Sequence, residues 1–137
     1  RRIAENFFSE VVLAVAHRGD GPWRISEPRL VTNTLGEALL ALGRKVRGVA
    51  DRLSSDAERQ DFQSLADRLI SQAGSIRMWL EQDDPGSVWW VELAKSPSKV
   101  QKRQVFTICA KGLALNQRLG VSWIVHSIMN HKQNLFL

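Results

Sequence analysis

Cysteine is nearly missing from this chain: Cys109 stands alone among 137 residues. A single cysteine leaves no internal disulfide framework, and nothing else in the sequence suggests secretion. Long apolar runs are missing too. None approaches the length of a membrane span, and the opening residues do not have the pattern of a signal peptide. Together these absences predict a cytoplasmic protein with no membrane partner. The catalytic vocabulary is equally thin. There is no G-x-x-x-x-G-K-[ST] phosphate loop and no G-x-G-x-x-G, and Gly19-Asp20-Gly21 reads as a turn after a helix. His17, His126 and His131 do not fall at zinc-site spacing. A site built from Cys109, His126 and His131 lacks both that spacing and a fourth ligand. Cys109, set among Phe106, Ile108 and Ala110, is more simply a buried apolar thiol. Asp83-Asp84 reads as the acidic end of a helix. The sequence therefore assigns no catalytic residue, no cofactor site and no metal site.

What is present is an ordinary globular composition with a basic tilt. Hydrophobic residues make up 44% and charged residues 24%, which suits a soluble globular protein, and the length suits one domain, or one domain plus a piece of another. A chain of this length buries about two thirds of its unfolded surface, enough for a genuine core. The formal net charge is +5 and the sequence pI about 10.0. That charge points first to an anionic partner such as nucleic acid, although mildly basic domains without one are common. The chain opens on Arg1-Arg2-Ile3, already inside a helical pattern, which predicts a piece of a longer protein.

Three amphipathic helices follow in order. From Arg1 to about His17, Ile3, Ala4, Phe7, Phe8, Val11, Val12, Ala14 and Val15 recur at offsets of three and four, giving one wide apolar face. Gly19, Gly21 and Pro22 end it. The stretch from Trp23 to Leu30 has no period and reads as a loop that lays Trp23 and Ile25 onto the helices. Asn33 and Thr34 are candidate N-caps for a second helix, with Glu37 completing a capping box. Its core face is predicted to be Leu35, Ala38, Leu39, Leu42, Val46, Val49, Ala50 and Leu53, within about 60° of one direction. Arg44 and Arg47 lie opposite, beside Glu37 and Asp51. They suit either a solvated, internally paired face or a nucleic-acid surface. Ser55 caps a third helix with Glu58 three residues on. It runs to about Glu81 on Phe62, Leu65, Ala66, Leu69, Ala73, Ile76 and Leu80. The short connection makes the second and third helices antiparallel neighbours, and Gln82-Asp83-Asp84-Pro85-Gly86 stops the third.

The second part of the chain reads as β. Val88 to Leu93 and Val100 to Ala110 form two strands, joined by Lys95-Ser96-Pro97-Ser98-Lys99. Trp89 and Trp90 should point to opposite faces, since side chains alternate along a strand. One of them then packs on the helices, and the other is free for packing elsewhere or for stacking on bases. Lys95, Lys99, Lys102 and Arg103, opposed only by Glu92, form the densest positive patch. The tail from Lys111 carries Leu113, Leu115, Leu119, Trp123, Ile124, Val125, Ile128 and Met129, compatible with a helix interrupted at Gly120. The predicted fold is thus mainly α: an antiparallel three-helix bundle (1–86), a β-hairpin (87–110), and an atypical, truncated or shifted tail with an uncertain C-terminal helix (111–137).

The order of features also carries a resemblance. A helix ending in Trp79-Leu80-Glu81-Gln82-Asp83-Asp84-Pro85-Gly86 is followed by Ser87-Val88-Trp89-Trp90-Val91-Glu92 and then Val105-Phe106-Thr107-Ile108-Cys109-Ala110. This resembles the arch region of DinG/XPD-type superfamily 2 DNA helicases, where a helical insert returns to the motor through an aromatic-Trp-Val-Glu strand. After Ala110 the chain reads Lys111-Gly112-Leu113-Ala114-Leu115, where that family carries a proline-containing segment. The resemblance implies a part of an ATP-dependent DNA helicase that shapes the passage for single-stranded DNA beside the rest of the motor. The chain by itself would be inactive. ATP and magnesium, and in many members an iron–sulfur cluster, would belong to the parent. Lys95, Lys99, Lys102 and Arg103, with Arg44 and Arg47, are the candidate nucleic-acid contacts. The alternative is a non-enzymatic helical protein-interaction module, suggested by Leu40 on the polar side of the second helix and by the Leu135-Phe136-Leu137 end.

Overall fold

The computed structural model describes residues 2–19, 21–84, 86–95, 104–112 and 119–125, with side chains described through residue 92. The chain is mainly helical, with an antiparallel sheet completing the fold. Helix α1 (Arg2–Val15) buries Ala4, Phe7, Phe8, Val11 and Val15 of the stripe that its three-and-four spacing predicts, while Ile3 at its start is 48% exposed. The Phe7 and Phe8 rings meet edge-on, with centroids 5.4 Å apart, a favoured arrangement of ring quadrupoles. A 3-10 turn, Ala16–Arg18, follows.

Helices α2 (Thr34–Ala50) and α3 (Asp56–Glu81) make a long antiparallel hairpin. The cap of α2 is Asn33, whose side-chain oxygen accepts from Gly36 N at 3.1 Å. The Thr34–Glu37 capping box therefore gives way to an asparagine cap. The cap also explains the glycine, because a Cβ at Gly36 would lie 2.2 Å from Asn33 Oδ1. At the start of α3, Ser55 Oγ accepts from Glu58 N at 3.4 Å, as the serine-x-x-glutamate pattern predicts.

The faces of the hairpin differ from the expected greasy stripes. Its two axes approach through small residues. A Cβ on Gly43 would meet Ile70 Cγ1 at 2.8 Å and the Ala66 carbonyl oxygen at 3.3 Å, while Ala50, Ala66 and Ala73 are buried. Close backbone approach turns Gly43 inward and rotates the large side chains onto a flank. Leu42, Val49, Phe62 and Leu65, expected in the core, are 48%, 45%, 38% and 45% exposed. By helical angle Leu42 and Val49 sit about 100–120° from Gly43, on the side away from Arg47, and Leu65 about 100° from Ala66, away from Asp67. In an antiparallel pair these positions share one flank. At the base of the hairpin Leu35, Ile76, Trp79 and Leu80 are buried in one cluster with the α1 stripe.

The sheet has four strands in the order β1-β2-β3-β4, every neighbouring pair antiparallel. They are β1 (Trp23–Arg24), β2 (Ser87–Lys95), β3 (Gln104–Gly112) and β4 (Leu119–Val125). The expected β2–β3 hairpin is present, in register from Ser87↔Gly112 to Lys95↔Gln104. Two features differ from expectation. The supposed loop at Trp23 supplies an edge strand, so the sheet takes residues from both sides of Gly86. Leu119–Val125, where helical spacing was noted, is instead a strand beside β3, with Val121, Trp123 and Val125 alternating along it. The remaining apolar residues of the tail, Ile128, Met129 and Leu135-Phe136-Leu137, lie outside the described residues.

Gly43→Val is expected to lower unfolding free energy by about 1–3 kcal/mol through overpacking. Gly74→Ala, whose added Cβ meets nothing within 4 Å, should raise it by about 0.5–1 kcal/mol through helix propensity. Urea unfolding of both variants measures this, and equal effects at the two glycines would contradict the close approach at Gly43.

Candidate nucleic-acid interface

The alternation of β2 divides its side chains between two surfaces. Trp89 and Val91 are 5% and 0% exposed and belong to the core cluster with Trp23, Ile25, Ile76 and Leu80. The even-numbered positions face away. Val88 is 42% exposed, and Trp90 is half-buried outside that cluster, its Nε1 donating to Glu92 Oε1 at 2.7 Å. The expected division of the two tryptophans is the one found. Next to β2, the short strand β1 repeats the alternation: Trp23 is buried and Arg24 exposed, with Arg24 the register partner of Trp90.

The start of β2 is fixed by a tight polar turn. Asp84 Oδ1 accepts from Gly86 N at 3.1 Å, and its other oxygen accepts from the Ser87 hydroxyl. The Ser87 bond and then the Gly86 bond hold the Asp84 carboxyl below its ordinary pKa, against a smaller opposing effect of desolvation. Just before this turn Gln82 caps α3 in the left-handed region, φ 51°. Its Nε2 donates to the Ile25 and Glu27 carbonyls at 3.0 and 3.3 Å, which ties the 25–29 segment to the helix end. Arg29 N also donates to the Leu80 carbonyl at 2.7 Å. A shallow groove of about 190 Å³ lies here, lined among others by Arg24, Ser26, Gln82, Asp84 and Ser87. Both Asp84 oxygens are occupied within the turn, so the groove presents no convergent acid or base.

The candidate cations fall into two groups. Arg44 and Arg47 are on α2 and exposed. Arg47 is ion-paired with Asp67 of α3, a pair between helices rather than the pairing within α2 that the sequence suggests, whereas Arg44 has no ion pair among the described residues. The hairpin from 34 to 81 carries seven Lys or Arg and seven Asp or Glu, net zero. Residues 93–137, by contrast, carry seven Lys or Arg and no Asp or Glu. Of these, Lys95 ends β2 opposite Gln104, and Lys111 in β3 is opposite Val88. Lys99, Lys102 and Arg103 fall between β2 and β3, outside the described residues. Sequence reasoning overlooked Arg24; the apolar-cation-apolar order of Trp23-Arg24-Ile25 was the available signal. Among the described residues no group of three His, Cys, Asp or Glu is placed to hold a metal ion, and no helix is long and apolar enough to cross a membrane.

Comparison with known proteins gives no family model, no curated protein and no solved structure that matches the chain.

The turn at Asp84 sets a pH dependence. A depressed carboxyl pKa contributes stability that is fully present above the unfolded-state value and is lost as pH falls through the folded-state value. Asp84→Asn should therefore flatten part of the acid-side loss of stability, and Ser87→Ala should move the Asp84 pKa upward toward the ordinary value. Carboxyl NMR titration and urea unfolding across the acid range test both, and an Asp84 titration unchanged by Ser87→Ala would contradict the assignment.

Proposed function

We propose that this chain is the arch portion of an ATP-dependent DNA helicase, contributing phosphate contacts to the passage of single-stranded DNA. The observation that carries the nucleic-acid reading is the segregation of charge along the chain: a helical hairpin of zero net charge is followed by residues 93–137, with seven cations and no acid. Phosphate backbones select for such a surface, because each neutralised phosphate releases condensed counterions. The helicase reading rests on the succession of helical hairpin, Pro-Gly stop, Trp-Trp-Val-Glu strand and following strand, and on the resemblance those residues carry. On this reading ATP and magnesium are bound by the remainder of the motor, and this segment guides the strand without catalysing a step. Phosphate contact is assigned to Lys95, Lys99, Lys102 and Arg103. Arg47, paired with Asp67, is assigned a structural role worth about 0–1 kcal/mol, as for exposed pairs in general.

Titrating single-stranded DNA at several salt concentrations tests the contact. Four phosphate contacts predict a log–log slope of roughly −2.8, each single alanine at the four positions flattening it by about 0.7. Arg47→Ala should leave it unchanged. Salt-independent or undetectable binding would contradict the proposal. Family membership is tested separately by the genomic DNA around the reading frame, which should encode a Walker A phosphate loop upstream.

A second reading, a helical protein-interaction module, is favoured by one observation: the uncovered apolar flank of Leu42, Val49, Phe62 and Leu65. Leu40, which first suggested it, is half-buried. If this flank docks a protein, Leu65→Lys should abolish binding of a hydrophobic-patch dye while leaving stability within about 0.5 kcal/mol. Absence of dye binding by the unmodified chain would remove this reading.

A further inference from the structure

The side chains of β1 and β2 that point away from the core cluster have an unusual composition, with Arg24 and Val88 exposed and Trp90 half-buried. The sheet residues in the core cluster are Trp23, Ile25, Trp89 and Val91; Arg24, Val88, Trp90 and Glu92 are outside it. The core therefore gives no account of the second tryptophan. Residues directly opposite one another in an antiparallel pair share a face. The row through Trp90 can be read across all four strands: Arg24↔Trp90, Trp90↔Cys109, Cys109↔Gly120. An indole thus has a cation at the register position on one side and, on the other, positions occupied by the small residues cysteine and glycine. One step along β2, exposed Val88 is opposite Lys111. The indole is also oriented, its N–H held by Glu92 at 2.7 Å. That bond engages the one carboxylate of the row's surroundings on β2, at the strand's last acid before the acid-free stretch.

We propose that this face is a base-stacking surface for single-stranded nucleic acid, with Trp90 as the stacking residue and Arg24 and Lys111, at register positions on the same face, as phosphate contacts. The inference rests on the phosphate reading above and adds to it the part of the ligand other than phosphate. An oriented indole offers a flat apolar surface to any base, so recognition is of single strands without sequence preference. A cation at the Trp90 register position on β1, Arg24, and another two residues along β3 from its partner Cys109, Lys111, match a backbone that passes over the sheet. A duplex keeps its bases stacked internally and cannot use such a surface. The ligand class is therefore an unpaired strand, and the affinity has a component that salt does not remove.

The test compares an oligothymidylate with a chain of equal length built from abasic residues, using the full 137-residue protein. The unmodified protein is expected to bind the thymidylate roughly 5- to 100-fold more tightly, with the same salt slope for both. Trp90→Leu should close that gap without changing the slope, and Trp90→Phe should restore most of it. Equal affinity of the unmodified protein for the two oligomers would overturn the stacking site while leaving phosphate contact standing; the face would then belong to a protein neighbour. A gap that persists in folded Trp90→Leu would overturn the assignment to Trp90. Failure to bind either oligomer would overturn the phosphate reading itself, and this inference with it.

Discussion

The burial of Trp89 and Val91 is the constraint on which the rest of the structure depends. These two side chains bring the sheet into the same cluster as Phe7 and Phe8 of α1 and Ile76 and Leu80 of α3, so one strand joins two helices that are distant from each other in sequence. Fully burying aromatic and aliphatic side chains of this kind contributes about 1.5–3 kcal/mol each. A strand cannot bury alternate residues without presenting the others, and Trp90, Val88 and Glu92 are set on the opposite face by that same act. The turn at Asp84 and the Gln82 cap matter because they fix where β2 begins. A one-residue slip would exchange Trp89 for Trp90 and turn the apolar set outward.

Much of this arrangement was legible in the residues. The α1 stripe, the Ser55 cap, the end of α3 at Glu81 and the opposed tryptophans all follow from local rules, and local rules were sufficient there. The failures have a common physical origin in tertiary context. Periodicity locates an apolar arc but not the point of closest approach within it. At Gly43 and Ala66 two helix axes meet through small residues, which leaves Leu42 and Leu65 on a flank. β1 was missed because two residues give no alternation to measure; only their pairing with Trp90 and Val91 defines them as a strand. Leu119–Val125 satisfies both helical and alternating patterns over a short run, an ambiguity that strand pairing resolves. Of the candidate site, the cluster at Lys95, Lys99, Lys102 and Arg103 was visible as composition. Arg24 was not, because it reaches the site through strand order.

Charge is distributed unevenly along the chain. The α2–α3 hairpin balances its charges and pairs Arg47 with Asp67, an arrangement suited to holding shape. Residues 93–137 concentrate cations without an acid among them, an arrangement that costs self-repulsion unless an anion is near. On the proposed reading the cation-rich 93–137 segment makes the contacts and the balanced hairpin supports it.

Lysine footprinting with and without single-stranded DNA tests that division directly. Lys95, Lys99, Lys102 and Lys111 report on the sheet segment, while Lys45 on α2 reports on the hairpin in the same sample. The account predicts that DNA slows acetylation of the sheet-segment lysines and leaves Lys45 unchanged. Protection of Lys45, or no difference between the two groups, would contradict it.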